Sequence, residues 1–303
     1  MVERLLRWYE RERRDLPWRR TSDPYAILVS EVMLQQTQVA RVVPRYEAWL
    51  RRWPTVEALA AASLEEVLRE WVGLGYNRRA ARLWEAAGVV ARAGWPERLE
   101  ELPGVGPYTA AAVGSFAFGR QVVAVDTNAR RVFARVGAPL APPPGRAAEF
   151  NQATMELGAT VCTARAPRCG ECPLREGCHG PGQLGPRRGR AERFEDSNRW
   201  VRGRIVAALA AGEGVPRDVA PERLERALQG LLRDGLVRRT AAGYALDDRV
   251  HDPHGHLPAP RGAGSPRSEG VRVSTLSPFG PRRPASTDAR TAGRAGHELD
   301  HLR

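Results

Sequence analysis

Four cysteines and the spacing between them constrain this chain more than any other feature. They form the pattern C-x6-C-x2-C-x5-C, made by Cys162, Cys169, Cys172 and Cys178. Cysteines grouped this tightly, in a chain that has no others, indicate a metal site rather than a disulfide framework. A zinc site usually takes two short ligand pairs, whereas here only one gap is two residues long. The wider gaps suit four thiolates around a bulkier group, so the sequence predicts a [4Fe–4S] cluster.

The charge of the chain points to a polyanionic partner. Its 303 residues carry a formal net charge of +12, and every one of the 47 basic side chains is an arginine. This excess of positive charge favours nucleic acid as the partner. Because there is no lysine, no side-chain amine can form a Schiff base. With no long apolar run and no signal-peptide core, we expect a cytoplasmic monomer that does not contact membranes.

Most of the first 190 residues show the apolar spacing of helices, which predicts an all-α fold. The predicted helices cover Val2–Arg13, Pro24–Leu50, Leu64–Val72, Arg79–Ala93, Pro107–Ala117 and Asn128–Val136. Residues 136–146 are rich in Pro, Gly and Ala and are predicted to form a loop.

The C-terminal third has a different composition. A Gly, Pro and Arg stretch predicts a linker at residues 183–197. Two helices, Arg199–Ala211 and Pro221–Arg233, then precede a predicted hairpin made by Leu236–Arg239 and Tyr244–Leu246. This order predicts a small winged-helix-like module at residues 198–248. Residues 249–303 have few apolar anchors, and we expect them to be disordered.

A glycine-containing turn between two predicted helices is a candidate phosphate site. It occurs in the string Leu102-Pro103-Gly104-Val105-Gly106-Pro107-Tyr108-Thr109-Ala110. Pro103 ends the first helix, and the glycines permit a tight turn that a ligand can approach closely. We expect the amides of Gly104, Val105 and Gly106 to face outward at the start of the second helix, where they would bind phosphate.

Three further strings complete a recognisable set. They are Ser30-Glu31-Val32-Met33-Leu34-Gln35-Gln36-Thr37-Gln38-Val39, Val125-Asp126-Thr127-Asn128 and Leu16-Pro17-Trp18-Arg19. Together with the cysteines and the turn, they resemble the adenine-specific (MutY) branch of the helix–hairpin–helix, endonuclease III superfamily, over roughly residues 5–182. The resemblance implies a helix–hairpin–helix DNA glycosylase fold. Its six-helix barrel would occupy residues 21–127, and its iron–sulfur cluster domain residues 1–20 and 128–182.

The resemblance also implies a reaction and its residues. Helical periodicity places Val32, Leu34 and Val39 inside and leaves Glu31 near an edge, yet the family's glutamate at this position protonates the leaving adenine. Asp126, within a segment that includes Asn128, would stabilise the positive charge that develops on the deoxyribose. Relatives that also nick DNA carry a lysine where this chain has Tyr108, so a monofunctional glycosylase is expected.

The same resemblance implies contacts to a mismatched or oxidised DNA duplex. The pocket for the flipped base would include Arg14, Trp18, Arg19, Leu34 and Gln36. Tyr76, in Gly73-Leu74-Gly75-Tyr76, would wedge into the stack beside the opposite purine. Either Gln35 or Gln36 would fill the gap that the flipped base leaves. Arg165 and Arg168, in the first loop between cysteines, would contact phosphates.

The chain departs from the family in two places. The segment between Asn128 and Cys162 is shorter than in the family, and we expect it to lack a helix around 137–147. Residues 195–250 do not resemble the Nudix-like domain with which many members recognise 8-oxoguanine. Adenine excision is therefore better supported than discrimination of 8-oxoguanine.

Two other functions stay open. One is a thymine or uracil glycosylase acting on G·T or G·U mismatches. The other is a non-catalytic iron–sulfur regulator that binds DNA.

Overall fold

The computed structural model describes residues 1–137, 140–180 and 193–251, and within these ranges the chain is almost entirely helical. The helices are α1 Val2–Glu12, α2 Pro24–Leu34, α3 Val39–Arg52, α4 Val56–Ala61, α5 Leu64–Trp71, α6 Arg78–Ala93, α7 Pro107–Phe118, α8 Thr127–Val136, α9 Ala147–Thr160, α10 Asn198–Ala211 and α11 Pro221–Arg233. Of the predicted linker only 193–197, and of the predicted disordered tail only 249–251, lie inside the described ranges. No helix in those ranges is long and apolar enough to cross a membrane.

The predicted long helix Pro24–Leu50 is wrong, because the chain breaks it into α2 and α3. Gln36, just after α2, has φ 57°, a left-handed conformation that a helix cannot continue through. Asp23 caps the start of α2 by accepting hydrogen bonds from Tyr25 N and Ala26 N, both at 3.1 Å. The break brings the end of α2 to a turn where its last side chains face a cleft.

Two helices, α4 and α9, were missed from the sequence for different reasons. The six residues of α4 are too few to show a period, although Thr55 caps them by accepting from Ala58 N at 3.2 Å. Along α9 the apolar spacing is interrupted by Asn151, Thr154 and Glu156, which are all buried. Between α8 and α9 the described residues hold no helix, in agreement with the predicted loop.

The apolar side chains form two separate cores. The smaller core joins α1, α8 and α9 and includes Leu5, Phe150 and Leu174, which follows the cysteines. The larger one joins α2 to α7 around Trp49 and Trp71, both fully buried. Trp18 packs on the larger core and Val123 on the smaller one, so the division between residues 1–20 with 128–182 and residues 21–127 stays a prediction.

The C-terminal residues also belong to the larger core. β1 Val237–Thr240 and β2 Gly243–Leu246 pair antiparallel, with Val237 opposite Leu246, close to the predicted hairpin. Val201 and Ile205 of α10 are fully buried in the core that includes Trp71 of α5. The two helices and the hairpin occur in the predicted order, and they pack directly on the barrel. The winged-helix description stays a prediction.

The chain then returns to the barrel after β2. Leu64 N donates to the Arg249 carbonyl at 2.8 Å, and the His251 ring stacks on Trp84 with centroids 3.7 Å apart. Gly88 makes this approach possible, since a Cβ there would lie 2.4 Å from the imidazole. The last described residues are thus anchored on α5 and α6.

Candidate active site and metal centre

Glu31 is a buried carboxyl in the last turn of α2. Only 6 % of the residue is exposed, which corrects the expectation that it would lie near a helix edge. The reason is that α3, α6 and α7 pack around α2, so that Tyr25 to Met33 are all buried. Leu34 and Val39, which were expected inside, are only half-buried. The pKa of Glu31 is raised to about 7, chiefly by burial and less by the negative charge of Asp126, while a hydrogen bond from Tyr108 opposes the rise. Glu31 can therefore hold a proton near neutral pH.

Tyr108 lies beside Glu31 in the first turn of α7. Its pKa is raised by burial and then by the charge of Glu31, so the phenol stays protonated and can act as a donor. Its hydroxyl also lies 3.9 Å from Met155 Sδ of α9. Tyr108, at the position where a lysine would indicate strand cleavage, is thus a neutral hydrogen-bond donor that contacts Glu31.

Asp126 caps α8 and faces the same site. Its Oδ1 accepts from Ala129 N at 2.7 Å, and its Oδ2 accepts from Asn128 Nδ2 at 2.9 Å. These bonds fix the orientation of the carboxylate at the start of α8. The negative charge of Asp126 contributes to the raised pKa of Glu31.

Asn128 extends this arrangement toward the cysteines. Its Oδ1 accepts from Arg131 Nη2 at 2.7 Å, and Arg131 in turn donates to the carbonyls of Gly158, at 2.6 Å, and Cys162, at 2.8 Å. Gly158 is needed here because a Cβ would lie 2.6 Å from Asn128 Cβ. Hydrogen bonds therefore connect Asp126 to the backbone of the first cysteine.

Asn151 was missed from the sequence, and it holds the segment that leads to Asp126. Its side chain, 1 % exposed, accepts from Ala124 N at 3.0 Å and donates to the Val122 carbonyl at 2.9 Å and Ser115 Oγ at 3.0 Å. A buried amide with these partners fixes an extended backbone that has no sheet neighbour. In the sequence, a lone polar residue on an apolar helix face was the available signal.

The turn before α7 has the predicted shape, but one of the three amides predicted to face outward is used inside the turn. Gly104 has φ 78°, and Val105 N donates to the Leu102 carbonyl at 3.1 Å, which corrects the expectation that the Val105 amide faces outward. A turn closed in this way uses that donor internally. Gly106 and the first amides of α7 remain at the helix start, where a phosphate would accept from them.

The two glycines of this turn allow a matched test. Gly104→Ala should destabilise the fold by about 1–3 kcal/mol, because φ is positive and the new Cβ would lie 2.6 Å from Arg82 Cβ. Gly106→Ala should leave the melting temperature unchanged, since no atom lies within 4 Å of that Cβ, but weaken DNA binding by blocking close approach. Thermal melts and fluorescence anisotropy with a labelled duplex measure both. Equal DNA affinity of Gly106→Ala and the wild type would contradict the phosphate assignment.

Arg79 was also missed, and it joins the end of α2 to the turn that carries Tyr76. Its guanidinium is hydrogen-bonded to the carbonyls of Val32, Met33, Gln35, Leu74 and Gly75 and to Thr37 Oγ1, at 2.6–3.2 Å. The carbonyls at a helix C-terminus lack partners within the helix, and this side chain supplies them. Burial lowers the pKa of Arg79 to about 10, so it stays charged.

Tyr76 lies with Gln35 and Gln36 along a cavity of about 560 Å³. Pro103 and Gly104 of the turn line the same cavity. Tyr76 has φ 49°, which is uncommon for a residue with a side chain, and its ring contacts the guanidinium of Arg79, 5.5 Å from the centroid. The three residues predicted to enter the DNA stack are thus brought together.

The predicted base-pocket residues near the N-terminus are held by a buried acid. Arg14 Nε and Arg19 Nη2 lie 2.6 and 2.7 Å from the carboxylate of Glu156, whose side chain is fully buried. Burial alone would raise the pKa of Glu156, but the hydrogen bonds from Arg14 and Arg19 hold it below its usual value. Trp18 packs edge-on against Tyr46 with centroids 5.5 Å apart. Both arginines are therefore rigidly placed, and their contact with a base stays a proposal.

The four cysteines surround a cavity of about 290 Å³ that Arg135 and Arg175 also line. Burial raises the pKa of the Cys172 thiol, and the other three cysteines contribute to the rise. Within the described residues no three ligating side chains are arranged to hold a single metal ion. Four sulfurs around a space of this size fit a multi-atom cluster.

The basic side chains of the first inter-cysteine loop differ from each other. Arg165 is exposed, whereas Arg168 pairs with Glu171 at 2.9 Å and donates to the Thr160 carbonyl at 3.0 Å. Arg165 is therefore better placed to contact a phosphate than Arg168, whose charge is partly neutralised.

Two family models match the regions that hold these sites. Residues 29–155 match the model of the HhH-GPD superfamily base excision DNA repair protein, and residues 162–178 match the iron–sulfur binding domain of endonuclease III. The fold and site define a helix–hairpin–helix DNA glycosylase of base excision repair, with a [4Fe–4S] cluster as its cofactor. The four thiols described above are the residues that fit this group.

Curated relatives narrow the assignment. The chain is 48 % identical over 281 residues to the adenine DNA glycosylase of Mycobacterium tuberculosis, a match covering 80 % of this chain and 92 % of the relative. The enzyme of the same name from Mycolicibacterium smegmatis is 46 % identical, covering 80 % and 94 %. The human one is 47 % identical over 207 residues, or 57 % of this chain and 38 % of the human protein. The chain belongs to the adenine DNA glycosylase family.

Solved structures agree on the fold. A thermostable thymine-DNA glycosylase superposes with a TM-score of 0.54 at 32 % identity, covering 58 % of this chain and 93 % of that chain. Endonuclease III in a non-covalent DNA complex gives a TM-score of 0.51 at 25 % identity, covering 58 % and 91 %. The shared part is the glycosylase fold with its DNA-binding framework.

Proposed function

We propose that this enzyme hydrolyses the N-glycosidic bond of adenine mispaired with guanine or 8-oxoguanine. One observation carries the proposal: Glu31 is buried, can be protonated near neutral pH, and shares its site with Asp126. A purine is a good leaving group only when it is protonated, and a buried carboxylic acid is suited to supply that proton. The names of the relatives point to the same base.

The steps follow from these two carboxyl groups. With adenine flipped out of the duplex, Glu31 donates its proton to N7, and the bond between C1′ and N9 breaks with its electron pair going to the base. Positive charge develops on the deoxyribose, where the ionised Asp126 stabilises it. Water then adds to C1′ and its proton returns to Glu31. Tyr108 orients Glu31 through their hydrogen bond.

The enzyme is monofunctional in this proposal. Cleavage of the DNA backbone by the same enzyme requires an amine that forms a Schiff base, and the chain has no lysine. The phenol of Tyr108 stands where such an amine would be and cannot replace it. We therefore expect an abasic product with an intact backbone.

The iron–sulfur cluster has a structural role in this proposal. The cluster would hold residues 162–178 together, and through Arg131 and Asn128 that segment supports the Asp126 side chain. The chemistry at C1′ uses only carboxyl groups and water.

A panel of four duplexes tests the proposal. Duplexes containing 8-oxoG·A, G·A, G·T or G·U are incubated with excess enzyme and analysed with and without hot alkali. We expect strand cleavage at adenine in the first two duplexes, and only after alkali, because the enzyme leaves an abasic site. The enzyme is expected to act as a monomer, which size-exclusion chromatography with light scattering checks.

The other outcomes separate the competing functions. Excision confined to G·T and G·U would identify a pyrimidine glycosylase, as in the structural relative named for thymine. Tight binding without excision of any duplex would identify a regulator. Cleavage without alkali would contradict the monofunctional assignment.

A further inference from the structure

The N-terminal half of α10 forms one wall of the cavity that contains Tyr76. Asn198, Arg199 and Arg202 line it together with Gln36 and the Pro103–Gly104 turn. This cavity is therefore lined both by the helices of residues 21–127 and by a helix of the C-terminal region.

Backbone strain is concentrated in this cavity. Among the described residues, the non-glycine side chains with positive φ are Gln36 and Tyr76, and both line it. Each such conformation costs on the order of 1 kcal/mol and persists where the surroundings impose it, which is common at binding sites. The strain indicates that these two side chains are held in position for a partner.

Arg199 is the contact between α10 and Tyr76. Its guanidinium lies 4.7 Å from the centroid of the Tyr76 ring, and its Nη1 donates to the Tyr76 hydroxyl. It also lies 4.8 Å from the Phe194 ring. In the part of the chain that the structure describes, no acidic side chain forms an ion pair with Arg199. A cation that contacts only aromatic rings and a hydroxyl retains its charge for an anion.

The cavity as a whole is positively charged. Its lining includes five arginines and a single acidic residue, Asp234; the arginines are Arg78, Arg79, Arg82, Arg199 and Arg202. Asp234 forms ion pairs with Arg202 and, at 3.7 Å, with Arg78. The surplus positive charge complements a phosphate backbone.

The position of α10 is fixed by packing. Val201 and Ile205 of α10 do not line the cavity and are fully buried, with 0 % of each residue exposed. Because they belong to the core that includes Trp71, α10 cannot swing away from the cavity without opening that core. The wall is thus a permanent part of the cleft.

We propose that the N-terminal half of α10 binds the DNA strand opposite the excised base, with Arg199 contacting a phosphate of that strand and positioning Tyr76. This inference rests on the proposed function only in its choice of strand, the one opposite the excised base. The charge, the continuity with the phosphate-binding turn and the strained Tyr76 support a duplex as the occupant.

The test compares two arginines of the same helix in the full-length holoenzyme. Arg199→Ala removes the proposed contact, whereas Arg204→Ala is the control, since Arg204 pairs with Asp218 at 2.6 Å and does not line the cavity. Anisotropy titrations use an uncleavable duplex with a tetrahydrofuran abasic site opposite guanine, at several salt concentrations. We expect Arg199→Ala to weaken binding roughly tenfold and to lower the slope of log K against log salt by about 0.9, as for one lost phosphate contact.

A second readout separates positioning from charge. With 2-aminopurine opposite the tetrahydrofuran, insertion of Tyr76 should unstack the probe and raise its fluorescence. Arg199→Ala should reduce that rise, and Arg199→Lys should restore the salt slope but not the fluorescence. If Arg199→Ala matches Arg204→Ala in slope and fluorescence, the inference is wrong even if adenine is excised. If adenine is not excised by the wild type, these binding measurements still decide the role of α10.

Discussion

Glu31→Gln is expected to reduce the single-turnover rate of adenine excision on the order of a thousandfold, the contribution of a well-placed general acid. Glutamine has the same shape and can still meet Tyr108, but it has no proton of suitable acidity to give to N7. Because Glu31 is buried, with only 6 % exposed, and not part of the protein surface, affinity for an uncleavable duplex should change little. Quenched-flow measurements with excess enzyme give the rate, and anisotropy gives the affinity.

A matched control distinguishes this effect from a general change of charge. The control variant is Glu57→Gln, which replaces an exposed carboxylate in the first turn of α4. This variant should excise adenine at the wild-type rate. Near-normal excision by Glu31→Gln would remove Glu31 from the role of acid.

The raised pKa of Glu31 also predicts a stability change of a definite sign. A carboxyl whose pKa is about 7 in the folded protein, against an ordinary value near 4.5, favours folding only while protonated. Stability is therefore lost as pH rises from about 4.5 to about 7, by up to about 3 kcal/mol, and Glu31→Gln avoids this loss. Urea unfolding at about pH 5 and about pH 8 should show the variant gaining on the wild type at the higher pH. An equal pH dependence for both proteins would mean that Glu31 titrates normally.

Asp126→Asn is the second substitution with a very large expected effect. It should reduce excision by at least on the order of a hundredfold, because a neutral amide cannot stabilise positive charge on the deoxyribose. Asparagine is as good a helix N-cap as aspartate, and its oxygen can keep the bond to Ala129 N. The melting temperature should therefore stay close to that of the wild type while the single-turnover rate falls.

Asp126→Ser and Asp126→Ala complete the comparison. Serine also caps a helix, so Asp126→Ser should be stable and inactive, whereas Asp126→Ala should be inactive and less stable by about 1 kcal/mol. If activity followed stability across the three variants, Asp126 would be only a structural cap.

Much of the site was predictable because local strings carry it. The turn at Gly104 and the cysteine spacing each fall within a few residues, so their geometry follows from the chain near them. The burial of Glu31 was not predictable from periodicity, because it depends on three other helices that enclose α2. An amphipathic pattern assumes one exposed face, and α2 has none.

The supporting residues depend on contacts between distant parts of the chain. Glu156 binds Arg14 and Arg19 from more than a hundred residues away, and Asn151 holds the backbone of Ala124. On a sequence these residues look like ordinary helix positions, since nothing local distinguishes a buried polar side chain from an exposed one. Arg79 is similar: its six acceptors come from two separate turns that only the folded chain brings together.

The shared core between α5 and α10 has a consequence during synthesis. The side chains of Val201 and Ile205 leave the ribosome long after Trp71, and until then one side of the barrel core is open. The anchor of His251 on Trp84 forms later still. A nascent chain would carry Glu31, Asp126 and all four cysteines before the cleft has its final wall. Termination of synthesis before α10 would therefore produce an aggregation-prone, protease-sensitive chain rather than a smaller active enzyme.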